Sequence, residues 1–301
     1  ATGDVSGTLN EPWGLRGRVV AVGEHDDSFK RHVDGSNGLL YGVLDQKLGD
    51  NTKLTLGGYY QNQHDTPDPN GLPLSEDGSD LRLPRKTFLG ANWNEGKFRK
   101  RGALLELEHE INDDWRISSK LDYKRTNAGQ NYASLAGGGK LGGGAKKAGP
   151  LPLDGIEHYD HSGKQFAFQT NLNGSFNAIG HSHDLFLTYS YNREKTDVRG
   201  LSMNTNDAKY NIYRWRGDEI PRPDWTHPDD RNTSNNYYTT HGISGGVRVN
   251  PTDNLHVLAG TRYTHWKRNW GWHYDLSDGK ADSRADRIID TRKSRFVPYR
   301  S

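Results

Sequence analysis

The chain has 301 residues, of which 32% are hydrophobic and 26% charged. That is too little apolar material for the single large dry core of a soluble domain this long. Forty Lys and Arg nearly balance 38 Asp and Glu, which excludes the strong basic field of a nucleic-acid-binding protein.

In chain order, residues 4–9 read as a strand with no lead-in. Next, Leu54, Leu56, Gly58 and Tyr60 alternate with Lys53, Thr55, Gly57, Tyr59 and Gln61. Leu105, Leu107 and Ile111 alternate with Glu106, Glu108 and Glu110. Trp115, Ile117, Leu121 and Tyr123 alternate with Arg116, Ser118, Lys120, Asp122 and Lys124. Phe166, Phe168 and Leu172 follow the same rule, as do Leu185, Leu187, Tyr189 and Tyr191. Ile243, Val247 and Val249 share a face, and Leu255, Val257, Ala259 and Tyr263 share another. An apolar/polar period of two is the mark of a strand with one apolar face. Each run has about the ~9–11 residues that a tilted strand needs to cross a bilayer. A last strand is expected to start near Arg295–Tyr299, giving about ten or eleven.

The connections alternate in length. Short turns rich in Asn, Asp, Gly or Pro fall at 9–11, 49–51, 112–114, 177–180 and 250–253. Long polar segments fall between them, at roughly 24–36, 64–100, 127–162, 193–240 and 265–293. In an up-and-down meander, all the short turns then lie at one end and all the long loops at the other. That asymmetry characterises outer-membrane barrels. The expected fold is therefore all-β: an antiparallel meander forming part of a transmembrane β-barrel. Tyr59, Tyr60, Trp115, Tyr123, Tyr189, Tyr191, Tyr263 and Trp266 sit near strand ends and are expected in interfacial girdles.

No apolar run reaches the length of about 18 residues that a transmembrane helix requires. With no cysteine, disulfides, thiolate metal sites and cysteine nucleophiles are excluded. The start, Ala1-Thr2-Gly3-Asp4, lacks the regions of a secretory signal.

Catalytic motifs fail on context. Gly137–Gly142 fits G-x-G-x-x-G but lies in a Gly/Lys/Ala-rich loop without a βαβ setting, and Leu141 follows Lys140 where a P-loop needs Ser or Thr. His109-Glu110 lacks a second His and lies on a strand. Residues 65–71 resemble a calcium loop but hold Thr66 where the first ligand belongs. His158, Asp160 and His161, and likewise His181, His183 and Asp184, read as solvated turn residues rather than metal ligands. Neither a catalytic nor a metal site is expected. Two other readings share the strand pattern: a porin or oligosaccharide channel, and a soluble all-β glycan-binding protein. In the latter, Glu106 and Glu108 would be candidate acid–base groups, although lining a lumen is the duller role.

Residues 4–10 (Asp-Val-Ser-Gly-Thr-Leu-Asn), 15–21 (Leu-Arg-Gly-Arg-Val-Val-Ala) and 27–29 (Asp-Ser-Phe) resemble the opening barrel strands of TonB-dependent ferric-siderophore receptors, nearest the hydroxamate and pyoverdine types. Weaker echoes are Leu39–Val43, Gly71–Leu74, Asn211–Trp215, Pro221–Pro223 and Phe296–Tyr299. The resemblance implies a barrel of about twenty-two strands with a plug inside. Residues 1–301 would be the amino-terminal portion of that barrel, with the plug and the carboxy-terminal half outside them. It implies iron carried as a ferric siderophore chelate, energy from the TonB-ExbB-ExbD complex, and an outer-membrane location among lipid and lipopolysaccharide. Lys146 and Lys147 fit lipopolysaccharide phosphates and loop solubility equally well. A chelate already fills the iron's coordination sphere, so its receptor needs aromatic faces and polar donors. The candidate contacts are Trp93, Tyr210, Tyr213, Arg214, Trp215, Arg216, Trp225, Trp266, Trp270 and Trp272, with Trp93 and Trp215 foremost; the competing role for any one Trp is to pack the loops together.

Overall fold

The structure is a computed structural model that describes residues 1–75, 77–135, 150–205, 208–276 and 287–300, with side chains described up to residue 273. The Gly137–Gly142 segment, Lys146 and Lys147 lie outside the described residues.

The strands are β1 (Thr2–Asn10), β2 (Leu15–Asp27), β3 (Asp34–Lys47), β4 (Thr52–Asp65), β5 (Glu95–Asn112), β6 (Trp115–Leu135), β7 (Leu151–Ala178) and β8 (His181–Ser202). The two-residue β9 (Lys209–Tyr210) is followed by β10 (Asp230–Thr252), β11 (Leu255–Leu276) and β12 (Arg287–Arg300). They form one antiparallel sheet in chain order, except that β8 pairs directly with β10 while β9 pairs with the start of β7. No helix occurs among the described residues.

The five tight turns fall at 11–14, 48–51, 113–114, 179–180 and 253–254, two of them up to a few residues beyond the expected 9–11 and 250–253 because β1 and β10 run further than the pattern suggests. Asn112 Oδ1 accepts from the amides of Asp114 and Trp115 at 3.0 and 2.9 Å. Ile179 and Gly180 both take positive φ, 55° and 77°, as a two-residue hairpin turn requires. A β-branched residue is strained there, and Ile179 is accordingly almost fully exposed.

At the opposite rim the connections are shorter than the sequence pattern suggests. Among the described residues they cover 28–33, 66–94 and 203–229, and all five expected loops, 24–36, 64–100, 127–162, 193–240 and 265–293, are partly strand. Strand β7 runs for 28 residues, far beyond the ~9–11 that span a bilayer. Above lipid both faces of a strand are wet, so alternation is no longer required and the pattern fades while the backbone ladder continues.

Register sorts the side chains into two faces. Leu105, Leu121, Phe168 and Tyr191 form one outward cross-strand row. Glu106, Lys120, Gln169 and Ser190 form the inward row beside it. Outward residues on β5 are exposed and their inward neighbours half-buried, as on the convex and concave sides of a curved sheet. Along β6 the outward run Trp115–Tyr123 has nine residues. At about 3.3 Å per residue and ~40° tilt this covers ~23 Å, close to the ~25 Å apolar band of an outer-membrane barrel. Gly174 lies beneath Trp115, where an added Cβ would come within 2.3 Å of the indole. On β1–β4, an apolar groove of about 700 Å³ lies among Val5, Leu9, Val19, Leu44 and Leu56.

The girdle expectation holds in parity for Tyr60, Trp115, Tyr123, Tyr189, Tyr191 and Tyr263. It fails for Tyr59 and Trp266, which pair with inward positions: Tyr59 faces Gly102 and Trp266 faces Thr240. One residue of displacement reverses the face. Inward polar groups satisfy one another, through Arg18 with Asp4 (2.6 Å), Arg116 with Glu110 (2.6 Å), Thr188 with Asn171 (3.0 Å) and Gln165 with Asn192 (2.7 Å). Glu106 lies directly opposite Lys120 in this wall. His183, read from sequence as solvated, is 2% exposed. Its ring bonds Ala178 O at 2.8 Å and accepts from Asn250 N at 3.0 Å, so it latches two tight turns together.

Candidate functional site

Apart from His183, the described side chains that are packed away from solvent gather above the band, where loops 66–94 and 203–229 meet the tip of the β6–β7 hairpin. Leu89, Ala91, Ala133, Leu135, Ile156 and Ile212 are among the buried members. The chain at 89–91 takes up the place beside β6 that β5 leaves. Leu135 N donates to Leu89 O (2.9 Å) and Ala91 N to Ala133 O (3.0 Å). Asn94 closes the gap between, accepting from Ala133 N at 2.9 Å and donating to Pro67 O at 3.1 Å.

Loop 203–229 doubles back over this tip. Asn92 N donates to Gly217 O at 2.8 Å. Gly217 has φ of 91°, and an added Cβ would approach Gly90 O to 2.9 Å, so a side chain is excluded twice over. Trp215 is 7% exposed and donates Nε1–H to Gly90 O at 3.1 Å. Trp93 donates to Ile220 O at 2.8 Å. Tyr210 meets Trp215 edge-on with centroids 5.2 Å apart. Trp225 lies 5.5 Å from the His158 ring, and its Nε1 is buried without a hydrogen-bond partner. Arg222 reaches across to Glu95 at 3.1 Å. Ala133, Ile156, His158 and Glu95, the sheet residues met here, all keep the parity of the outward row. Four of the sequence candidates, Trp93, Tyr210, Trp215 and Trp225, therefore belong to one cap braced on the outer side. Tyr213, Arg214 and Arg216 are exposed on the same loop, with the Tyr213 hydroxyl 3.4 Å from Leu81 O.

The remaining candidates sit elsewhere. Trp266, Trp270 and Trp272 have inward parity on β11, opposite Thr240, Asn236 and Ser234. Tyr238 joins them, 6.0 Å from the Trp266 ring. A second inward aromatic patch lies on β6 and β7. Tyr132 and Tyr159 stack at 6.3 Å, and the Tyr132 hydroxyl donates to Glu157 at 2.5 Å. Burial, followed by the adjoining carboxylate, pushes the Tyr132 phenol well above its ordinary range. Between the patches the inward positions carry Val198, Gly200, Asn232 and Ser234. Three strand steps separate Tyr159 from β11, about 14 Å. The upper inward face is thus two aromatic walls flanking a low polar floor. Sequence reading finds the β11 wall but not Tyr132, Tyr159, Glu157 or Tyr238, which lie in equally loop-like segments and stand out only by their inward parity. Counting strand parity onward from Tyr123 would have reached Tyr132.

Among the described residues, no group of three His, Asp or Glu side chains is placed to hold a metal ion. Aromatic walls around a polar floor suit a bulky ligand that brings its own coordinated metal.

A family profile described as TonB dependent receptor-like, beta-barrel matches residues 28–298. The ferric-pyoverdine M114 receptor PbuA of Pseudomonas sp. strain M114 is 28% identical over 282 residues, covering 88% of this chain and 32% of the relative. The ferripyoverdine receptor of Pseudomonas aeruginosa is 27% identical over 285 residues, with the same 88% and 32% coverage. The chain thus spans about a third of the length of these curated relatives. Among solved structures, P. aeruginosa FpvA bound to heterologous pyoverdines superposes with a TM-score of 0.80 at 22% identity. That match covers 99% of this chain and 37% of the other. The ferric-catecholate import receptor Fiu of E. coli K12 in its open form gives 0.73 at 18% identity, over 99% and 48%. At these identities the superpositions show the fold.

Proposed function

Because the chain belongs to the TonB-dependent receptor-like β-barrel family, we propose that it forms part of the wall of an outer-membrane receptor for a ferric siderophore of the pyoverdine or hydroxamate type. Iron is cargo here, carried within the chelate. In this reading the plug and the TonB-ExbB-ExbD complex act in the whole receptor, and outer-membrane lipid and lipopolysaccharide surround the outward face.

The observation that carries the proposal is the inward upper face, with Tyr132 and Tyr159 on one side and Tyr238, Trp266, Trp270 and Trp272 on the other. Their parity turns them towards the lumen. The aromatic walls supply flat faces for a conjugated chelate, while Asn232, Ser234 and Asn236 supply donors and acceptors. Tyr213, Arg214 and Arg216 offer a second set of contacts on the exposed loop. The indole donors of Trp93 and Trp215 already serve backbone carbonyls, so those residues hold the cap that carries the exposed loop. The names of the curated relatives agree with this reading.

The test is equilibrium binding of ferric pyoverdine to the full-length receptor, followed by tryptophan fluorescence, together with uptake of radiolabelled iron in iron-limited cells. Removing aromatic anchors from a desolvated site weakens binding by about tenfold or more. Trp266→Ala, Trp270→Ala and Trp272→Ala combined should do so with the barrel still folded. Unchanged affinity in that variant would remove the inward wall from the site. Failure of the unaltered receptor to bind any ferric chelate would remove the function.

A further inference from the structure

The β8–β10 ladder stops short of the tight-turn rim. Its last pair is Asp184 with Arg248. The β10–β11 register also shifts between Val249 and Thr252, so Asn250 has no ladder partner on either side. A bulge of this kind turns a residue out of the ladder. Beyond Arg248, an imidazole takes the place of the missing backbone carbonyl. Asn250 N donates to His183 Nδ1 at 3.0 Å, and His183 Nε2 bonds Ala178 O at 2.8 Å. A second bond, from Asn250 Nδ2 to Ser182 O at 2.6 Å, completes the clasp.

These partners fix the state of the ring. A backbone amide can only donate and a carbonyl can only accept, so Nδ1 keeps its lone pair and Nε2 carries the proton. A protonated imidazole has two N–H donors and no acceptor. The bond to the Asn250 amide therefore exists only while the ring is neutral. An ordinary ladder carbonyl carries no such condition. His183 is 2% exposed, with the Phe176 ring 5.3 Å away, so water has little room to replace the lost acceptor.

The titratable groups around the ring are engaged elsewhere. On β8, Asp184 accepts from the Ser175 hydroxyl at 3.1 Å and lies 4.0 Å from Arg248 of β10. His181 lies 3.7 Å from Asp253 in the β10–β11 turn. On β11, His256 Nδ1 lies 2.7 Å from Asn250 Oδ1. Strand β7 contributes the Phe176 ring and the Ala178 carbonyl, neither of which titrates. Among the described residues, no carboxylate forms an ion pair with His183 that would favour its charged form.

We propose that His183 is a proton-operated clasp on the tight-turn rim: charging its ring releases the Asn250 amide and uncouples the 179–180 turn from the 253–254 turn. The seam is closed above the range in which histidines charge. It opens as pH falls through that range, roughly pH 8 to 5. In an outer-membrane barrel the short turns face the periplasm, so the clasp would answer to acidity on that side. It concerns the closure of the sheet itself and holds whether or not the lumen takes a chelate.

The experiment uses the full-length receptor in nanodiscs. Amide hydrogen exchange, resolved to single residues by mass spectrometry, is read at about pH 8 and about pH 5, each rate divided by its intrinsic chemical rate. Corrected exchange at Asn250 should be about tenfold faster at the lower pH, as expected for the loss of one hydrogen bond. The amides of 243–247, inside the ladder, should not change. His183→Asn keeps an acceptor oxygen near the place of Nδ1 and should leave Asn250 protected at both pH values. His183→Phe should leave it unprotected at both. His181→Gln and His256→Gln should keep the pH dependence of the unaltered receptor. If the His183 variants do not fold, the ring-nitrogen chemical shifts of His183 in the unaltered receptor carry the test. They should show a proton on Nε2 alone at the higher pH, and a charged ring appearing together with the loss of Asn250 protection. A proton on Nδ1 at the higher pH overturns the proposal. So does equal corrected exchange at the two pH values, or a pH dependence that survives in His183→Asn.

Discussion

Along β6, the outward side chain of Tyr123 is 43% exposed, and ten residues later Ala133 and Leu135 on the same strand are completely buried. The lower stretch belongs to the membrane band and the upper one to the loop cap. In the band, Leu105, Leu107, Ile243 and Val257 each expose more than a third of their surface, and among the described residues no apolar core lies at that level. In the cap, Leu89, Ala91, Ala133 and Leu135 pack against Trp215 and Ile212 from a distant loop. The band therefore relies on an apolar solvent, and the cap on its own side-chain packing. One strand passes through both regimes because only its ladder hydrogen bonds are common to them.

The comparison breaks most sharply at Trp215. Trp215→Ala removes a buried indole and its bond to Gly90 O. Large-to-small changes of this kind cost ~3–5 kcal/mol. Hydrogen exchange should show loss of protection in 66–94 and 203–229 with the amides of 115–123 unchanged. Coincident loss in the band would mean that the two regions form one cooperative unit.

The next effect sharpens the band. Leu121→Arg places a charge on the outward face two residues inside the upper edge of the spanning run, at a cost of ~1–3 kcal/mol, between the midplane and interface values. Lys120→Gln, one residue away and inward, should stay within about 0.5 kcal/mol. Urea titration of folding into lipid vesicles measures both. Equal effects would show that the two faces are not lipid and lumen.

Ser119 and Thr170 give a smaller and more specific effect. Their hydroxyls are outward in parity, and each satisfies the other at 2.9 Å. Ser119→Ala leaves Thr170 with a hydroxyl facing lipid and should cost about 1–2 kcal/mol. Ser119→Ala with Thr170→Val removes both groups and should be nearly neutral. The same vesicle titration, run as a double-mutant cycle, reads the difference.

The two regimes also account for what the sequence made legible. Where lipid meets one face, every second residue must be apolar, so β6 from Trp115 to Tyr123 and β8 from Leu185 to Tyr191 could be read directly. Above the band that demand ends, and Tyr132, Glu157 and Tyr159 read as loop although they continue the same strands. The cap depends on contacts such as Asn94 with Pro67 and Trp215 with Gly90, far apart in sequence. No local pattern encodes those pairings. A place near strand ends does not give parity, so Tyr59 and Trp266 read as girdle residues although they face inward. The β11 tryptophans could be named, but their turn towards the lumen follows from register alone.

The smallest expected effect concerns the ionic tie between cap and sheet. Glu95 binds Lys97 at 2.6 Å, Arg222 at 3.1 Å and His64 at 3.3 Å. These contacts, Lys97 foremost, hold its carboxyl below the ordinary glutamate value. A depressed folded-state value means that the stabilisation is fully present above the ordinary carboxylate range. It is lost as pH falls through the lowered value. Acidification should therefore loosen loop 203–229 first at Arg222, read as faster amide exchange around residues 217–222. Such pairs contribute about 1 kcal/mol or less, so Glu95→Gln should flatten this pH dependence without undocking the cap. Lys97 lies on the same strand as Glu95, and only Arg222 belongs to the loop. Arg222→Gln should accordingly reproduce the loosening at neutral pH while leaving most of the Glu95 shift in place. Asp77, in the other cap loop, is held at about 2 by the Ser75 and Ser79 hydroxyls. The 75–79 turn should therefore keep its protection until pH falls to about that value.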